Sequence, residues 1–149
     1  MTIFYQISLK SMASHFLFCI LILPASLANA GEWLEGRVTH VRDVDTIEVR
    51  NVPIRLNGVD GPELDERGGR SAKRWMQSLV LRKPVKCWLN GDKTYDRWVG
   101  TCYIPSDADI GALAIGAGQA RDCPKFSGGK YKQFETPESR RLPQHSYCR

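Results

Sequence analysis

The sequence predicts an α+β domain that is mainly β: a five-stranded Greek-key barrel of the OB type carrying two to three helices. Three observations lead there. A run near the start of the folded region is dense in β-branched residues and is interrupted by turn residues. One later segment has apolar residues at helical spacing, and two more apolar segments beyond it each carry a cysteine. Three strands, a helix, two strands and a small helix suit a barrel wrapped round one core; an open α+β sheet is the alternative.

The first thirty residues stand outside that argument. Lys10 precedes the apolar run "FLFCILILPA", and "LANA" ends in small residues at Ala28 and Ala30. This is the layout of a secretory signal peptide cleaved after Ala30. The apolar run falls well short of the roughly twenty residues that span a bilayer, and Phe18 stands before Cys19 where a lipoprotein cleavage site needs a small residue. The expectation is therefore an exported protein, periplasmic or secreted, with no stable membrane association once the signal is removed. The net charge of +5 falls to +4 when Lys10 leaves, too small an excess to name a partner.

The strands come next. "WLEGRVTHVRDVDTIEVRNVPIRLNGV" breaks at "RDVD" and at "RNVP", giving expected strands near 33–42, 45–51 and 53–58. Two glycines and a proline then mark "GVDGPEL" as a loop. Ala72, Trp75, Met76, Leu79 and Val80 fall on one face of a helix that starts near Ser71 or a little earlier and stops before Pro84. "VKCWLN" and "RWVGTCYI" read as two further strands joined by the polar stretch "GDKTYD". "DIGALAIGAGQA" is a short helix with Asp109 as N-cap and Gly118 as its stop. Residues 121–149 show no periodicity and are expected as an irregular extension to a domain of residues 31–120.

Four cysteines remain after signal removal, and an even count in an exported chain points to two disulfides. Of the three pairings, Cys87–Cys102 with Cys123–Cys148 is preferred. The first two sit mid-strand, where antiparallel pairing brings Cβ atoms within about 4 Å, and the second pair ties back the extension. Zinc is the competing use, but Cys-x-x-Cys pairs and clustered histidines are missing from the sequence.

The charges in "VRDVDTIEVRNVPIRLNGVDGPE" admit two readings. Asp43 and Asp45 lie two apart, on one side of extended chain, and a hairpin returns Asp60 beside them; converging carboxylates suit a hard cation such as Ca2+. Arg55 sits between Ile54 and Leu56, and Arg97 begins a strand; a guanidinium fits phosphate oxygens bidentately. Glu63 follows Pro62 and has the chemistry of a general base. The plain reading is solvated strand ends and weak surface ion pairs.

Taken together, "VRDVDTIEV", "IRLNGVDGPE" and "TYDRWVGTCYI", in this order and separated by a helix, resemble the thermonuclease family typified by staphylococcal nuclease. The similarity runs from about Gly36 to Ala120. It implies an OB-type barrel and Ca2+-dependent hydrolysis of nucleic-acid phosphodiesters, leaving 3′-phosphates, in DNA, RNA or both, with little sequence specificity. By the same resemblance Asp45 and Asp60 are Ca2+ ligands and Gly61 offers its backbone carbonyl. Glu63 corresponds to the residue acting on the attacking water, Arg55 and Arg97 to those holding the scissile phosphate, and Tyr95 to a tyrosine binding nucleotide phosphate. Asp43 becomes a support of the turn. A nucleic-acid substrate and a monomer are the expected state; a non-catalytic OB-type nucleic-acid-binding module is the alternative, and an inert exported domain a third possibility.

The chain also departs from the family pattern. Val44 stands where Gly is usual between the two aspartates, Gly61 where Thr or Ala is usual, Lys93 where an acidic residue is common, and Asp96 where Gly precedes the arginine. Asp96 is placed in sequence to pair with Arg97 and blunt it. The C-terminal region has no tyrosine pair aligned for stacking on bases.

Overall fold

The computed structural model describes residues 31–149; the segment read as a signal peptide lies outside the described residues. Five strands close a barrel: β1 (Glu32–Val41), β2 (Thr46–Val49), β3 (Val52–Leu56), β5 (Pro84–Thr94) and β6 (Arg97–Tyr103). They close in the order β1-β2-β3-β6-β5, so the expected barrel is present and the open sheet is not. β4 (Val59–Asp60) and β7 (Arg121–Asp122) form a separate two-stranded sheet.

Each closure has a local cause. β2 and β3 are joined by Arg50 and Asn51, both with positive φ, in the two-residue turn whose twist matches paired strands. The barrel shuts where β3 runs parallel to β6, Ile54 beside Trp98 and Leu56 beside Gly100. Parallel neighbours need a long crossover, and α1 (Gly69–Val80) and β5 supply it. Alternation along the strands sends Val38, Val41, Ile47, Val49, Ile54 and Leu56 inward, where all are buried. α1 covers one end with Ala72, Met76 and Val80; burying Met76 completely contributes about 1.5–3 kcal/mol.

α2 (Ile110–Gly116) begins as expected at Asp109, whose Oδ1 accepts from the amides of Gly111 (2.8 Å) and Ala112 (3.2 Å). Cys87 lies directly across from Cys102 on β5 and β6, and the two are bonded.

Three features differ from the sequence reading. β5 continues through "GDKT" to Thr94, because β6 offers ladder partners to Lys93 and Thr94; only Tyr95 and Asp96 are left to turn. The loop "GVDGPEL" contains β4, whose partner β7 lies some sixty residues further on. The stretch after Arg121 is also structured. It forms β7, α3 (Pro124–Ser127), α4 (Pro137–Arg140) and two 3₁₀ turns, and it is bonded through Cys123–Cys148. It even contributes Tyr131 to the core, 2% exposed, with its hydroxyl donating to Asp109 Oδ2 at 2.9 Å.

Candidate active site

A cleft of about 480 Å³ opens beside the β2–β3 hairpin. Asp45, Arg55, Glu63, Tyr95 and Arg97 line it, together with Phe126 and Tyr147 from the C-terminal region.

The floor is a chain of polar contacts set by strand register. Thr46 on β2 faces Arg55 on β3, which brings Asp45, one residue earlier, to the guanidinium. Arg55 Nη1 lies 2.7 Å from Asp45 Oδ2. The Thr46 hydroxyl donates to Asp45 Oδ1 (3.1 Å) and accepts from Arg97 Nη1 (3.0 Å). Both arginines are thereby fixed to one aspartate, Arg55 directly and Arg97 through a hydroxyl. Arg97 Nε is buried and has no hydrogen-bond partner among the described residues. A buried donor in that state costs free energy unless something in the cleft accepts from it.

Burial pushes the Asp45 carboxyl up from the usual carboxylate range against the pull of Arg55, and the Asp43 charge adds to the rise. Burial also works against the charge on Arg55, but Asp45 foremost keeps that guanidinium firmly protonated. Asp43 takes a supporting position: its Oδ1 accepts from the Asp45 amide at 3.1 Å, bracing the turn.

Gly61 approaches from β4, and its amide donates to Asp45 Oδ2 at 3.2 Å. A Cβ at position 61 would overlap Cγ1 of Val44, which is fully buried. The two departures from the family pattern, a larger residue at 44 and none at 61, therefore fit each other.

Glu63 is exposed on the loop into α1. Its amide donates to Glu66 Oε2 (2.8 Å), and its carbonyl accepts from the Glu66 amide (3.0 Å). Gly69 lets the helix start against that carbonyl, since a Cβ there would overlap it. Tyr95 stands at the tip of the β5–β6 hairpin, 93% exposed and in left-handed backbone (φ 55°), with the Arg97 guanidinium 5.8 Å from its ring. A bulky residue holds that conformation at a cost of about 1–3 kcal/mol.

Asp96 does not blunt Arg97. Its carboxylate instead takes Arg42 Nη1 at 2.7 Å, and that hydrogen bond holds its carboxyl below the usual range. Arg42 also donates through Nε to Glu48 (2.8 Å), so the pair braces the hairpin from outside the cleft.

Asp60 is brought beside Asp45 through the neighbouring Gly61 amide, but its own carboxylate has no exposed surface. It accepts from the His145 amide (3.0 Å) and the Tyr147 hydroxyl (3.2 Å), and His145 Nδ1 lies 2.6 Å from Oδ1. Burial opposes a charge on His145, but the hydrogen bond to Asp60 and the charges of Asp60, Glu66 and Glu63 together raise its pKa. Burial and the Asp60 charge push the Tyr147 hydroxyl up to about 12, so it stays a donor. The sequence reading missed both residues. Its one available signal was the Cys123–Cys148 pairing, which fixes Tyr147 close to residue 123.

Among the described residues, no three His, Cys, Asp or Glu side chains are grouped as metal ligands. The available donors are the Asp45 and Asp60 carboxylates and the Gly61 carbonyl, all oxygens of the kind a hard divalent cation takes. The raised Asp45 carboxyl marks buried negative charge that one arginine leaves incompletely compensated, so the donor set fits such a cation.

Comparison with known proteins follows the same residues. The family model described as staphylococcal nuclease homologue matches residues 53–141. The succinoglycan biosynthesis protein ExoI of Rhizobium meliloti (strain 1021) is 35% identical over 115 residues, covering 70% of this chain and 60% of that protein. An uncharacterized endonuclease of Escherichia coli O157:H7 is 36% identical over 91 residues, covering 58% and 60%. A probable endonuclease, LCL3, of Paracoccidioides brasiliensis (strain Pb03) is 28% identical over 140 residues, covering 79% and 40%. The chain thus spans about 60% of the length of the first two relatives.

Proposed function

We propose, from the premise that this chain belongs to the staphylococcal nuclease homologue family, that it is an exported nuclease hydrolysing phosphodiester bonds of DNA or RNA with little sequence specificity. One observation carries the reading: two arginines, a buried aspartate and an exposed glutamate line one cleft. Endonuclease-named relatives support it, as do the two disulfides, which suit an oxidising compartment.

In this reading the scissile phosphate lies against Arg55 and Arg97. Arg55 spends Nη1 on Asp45 and keeps other donors for phosphate oxygens; Arg97 spends Nη1 on Thr46 and offers its unpartnered Nε. Both are held before substrate arrives, so little reorganisation is needed as charge builds on phosphorus. Glu63 takes a proton from the attacking water. The water oxygen bonds to phosphorus, the bond to the 5′-oxygen breaks, and that oxygen leaves with a proton, giving a 3′-phosphate and a 5′-hydroxyl. Tyr95 contacts the adjoining nucleotide phosphate. Ca2+, held by Asp45, Asp60 and the Gly61 carbonyl, supplies further charge neutralisation at the phosphate when bound.

The deciding assay incubates the exported protein with DNA and with RNA, in Ca2+ and in Ca2+ plus chelator. Chelator-sensitive cleavage is expected. Binding without cleavage would instead make the domain a nucleic-acid-binding module.

A further inference from the structure

Residues 142–148 lie across the end of β4, and three ties hold them to β7 and the residue that follows it. Arg121 Nη1 donates to the Leu142 carbonyl (3.1 Å), Gln144 Nε2 donates to the Asp122 carbonyl (3.0 Å), and Cys123 is bonded to Cys148. β7 in turn pairs with β4, Val59 opposite Asp122 and Asp60 opposite Arg121. The segment is therefore registered to Asp60 through a short ladder and a covalent bond.

It delivers three donor groups to a single carboxylate. The His145 amide serves Oδ2, while His145 Nδ1 and the Tyr147 hydroxyl serve Oδ1. The two rings stack, centroids 5.1 Å apart and 7° between planes, and His145 Nε2 lies 3.5 Å from Glu66 Oε1. Tyr147 also faces the cleft that Arg55 and Arg97 line. A carboxylate that must hold a cation at one angle is commonly held itself by such donors. With about four lone-pair directions available, three donors leave about one free.

We infer that His145 and Tyr147 are positioning residues of the active site: the disulfide-tied C-terminal segment brings them to Asp60 and fixes the orientation in which that carboxylate meets the cation. This rests on the proposed reading of Asp60 as a ligand. It also gives the C-terminal region, whose sequence offers no aligned tyrosine pair, a role in the chemistry.

The test is Ca2+ affinity of the whole exported protein by isothermal titration calorimetry, with DNA cleavage measured in parallel. His145→Ala and Tyr147→Phe are each expected to weaken Ca2+ binding by about 10–100-fold, the range for loss of a residue that orients a ligand. His145→Asn, which keeps a donor near Nδ1, is expected to recover most of the loss. Tyr147→Phe removes one oxygen and leaves the stacked ring and Cys148 in place, so it reports even where His145→Ala folds poorly. Unchanged affinity in Tyr147→Phe and in any folded His145 variant overturns the inference. Tighter binding overturns it too, since the segment would then be competing with the cation. A wild type that binds no Ca2+ removes its premise. A wild type that binds Ca2+ without cutting sinks the nuclease reading and leaves the affinity comparison standing.

Discussion

Val44 fills the space that a side chain at position 61 would need, and Gly61 in return brings its amide to within 3.2 Å of Asp45. Gly61→Ala is therefore expected to overpack the contact and destabilise by about 1–3 kcal/mol. Val44→Ala opens room, so the double variant should lose less than the two single losses combined, with a coupling of about 0.5–3 kcal/mol. Urea unfolding of the four proteins measures it; strict additivity would show the two positions to be independent.

Arg55→Ala and Arg97→Ala are expected to part company. Arg55 is the ion-pair partner of a buried carboxylate, and its loss strands that charge at a cost of about 3–5 kcal/mol, besides abolishing cleavage. Arg97 is bonded to a hydroxyl, so its removal should leave the unfolding midpoint nearly unchanged. Equal effects of both variants on stability would contradict this assignment of roles.

For catalysis, Arg97→Ala is expected to lower kcat/KM by about 10²–10³-fold, the usual effect of losing one donor to a developing oxyanion. Arg97→Lys should not recover it, because an ammonium cannot serve Thr46 and a phosphate through one planar fork. Steady-state kinetics on a short single-stranded oligonucleotide would read both; full activity in the lysine variant would remove Arg97 from the phosphate site.

Binding to a catalytically disabled Glu63→Gln protein should weaken steeply as salt rises, with nearly the same slope for unrelated sequences. That follows if the contacts are to phosphates and not to base edges. Fluorescence anisotropy over a salt series tests it, and a strong dependence on sequence would argue for base readout.

Replacing Cys87 and Cys102 by alanine should cost about 3 kcal/mol, given the fifteen-residue separation the bond closes. The bond sits within a ladder the strands form anyway, so activity at low temperature should persist. Thermal melts with parallel cleavage assays separate the two effects.

The sequence displayed the barrel because its strands are written locally: alternating β-branched residues, turn residues between them, and one helix with a clean apolar face. The floor of the site was legible for the same reason, since Asp45, Thr46 and Arg55 lie on a single hairpin. What lay hidden depends on partners far along the chain. β4 is two residues long and exists only because β7 pairs with it. Nothing near Asp60 announces His145 or Tyr147, which stand 85 and 87 positions away. Asp96 looked like a partner for its neighbour Arg97, but the turn directs it to Arg42, which no periodicity would have indicated.

The tether between Cys123 and Cys148 also sets an order of assembly. A growing chain that has reached Ala120 already holds every barrel strand, yet Asp60 still lacks its donors, which are translated much later. They come to rest only when Cys148 meets an oxidant. On this account the protein is without a finished site while it is still being made, and the cell's own nucleic acids are spared until the chain has left the compartment that contains them.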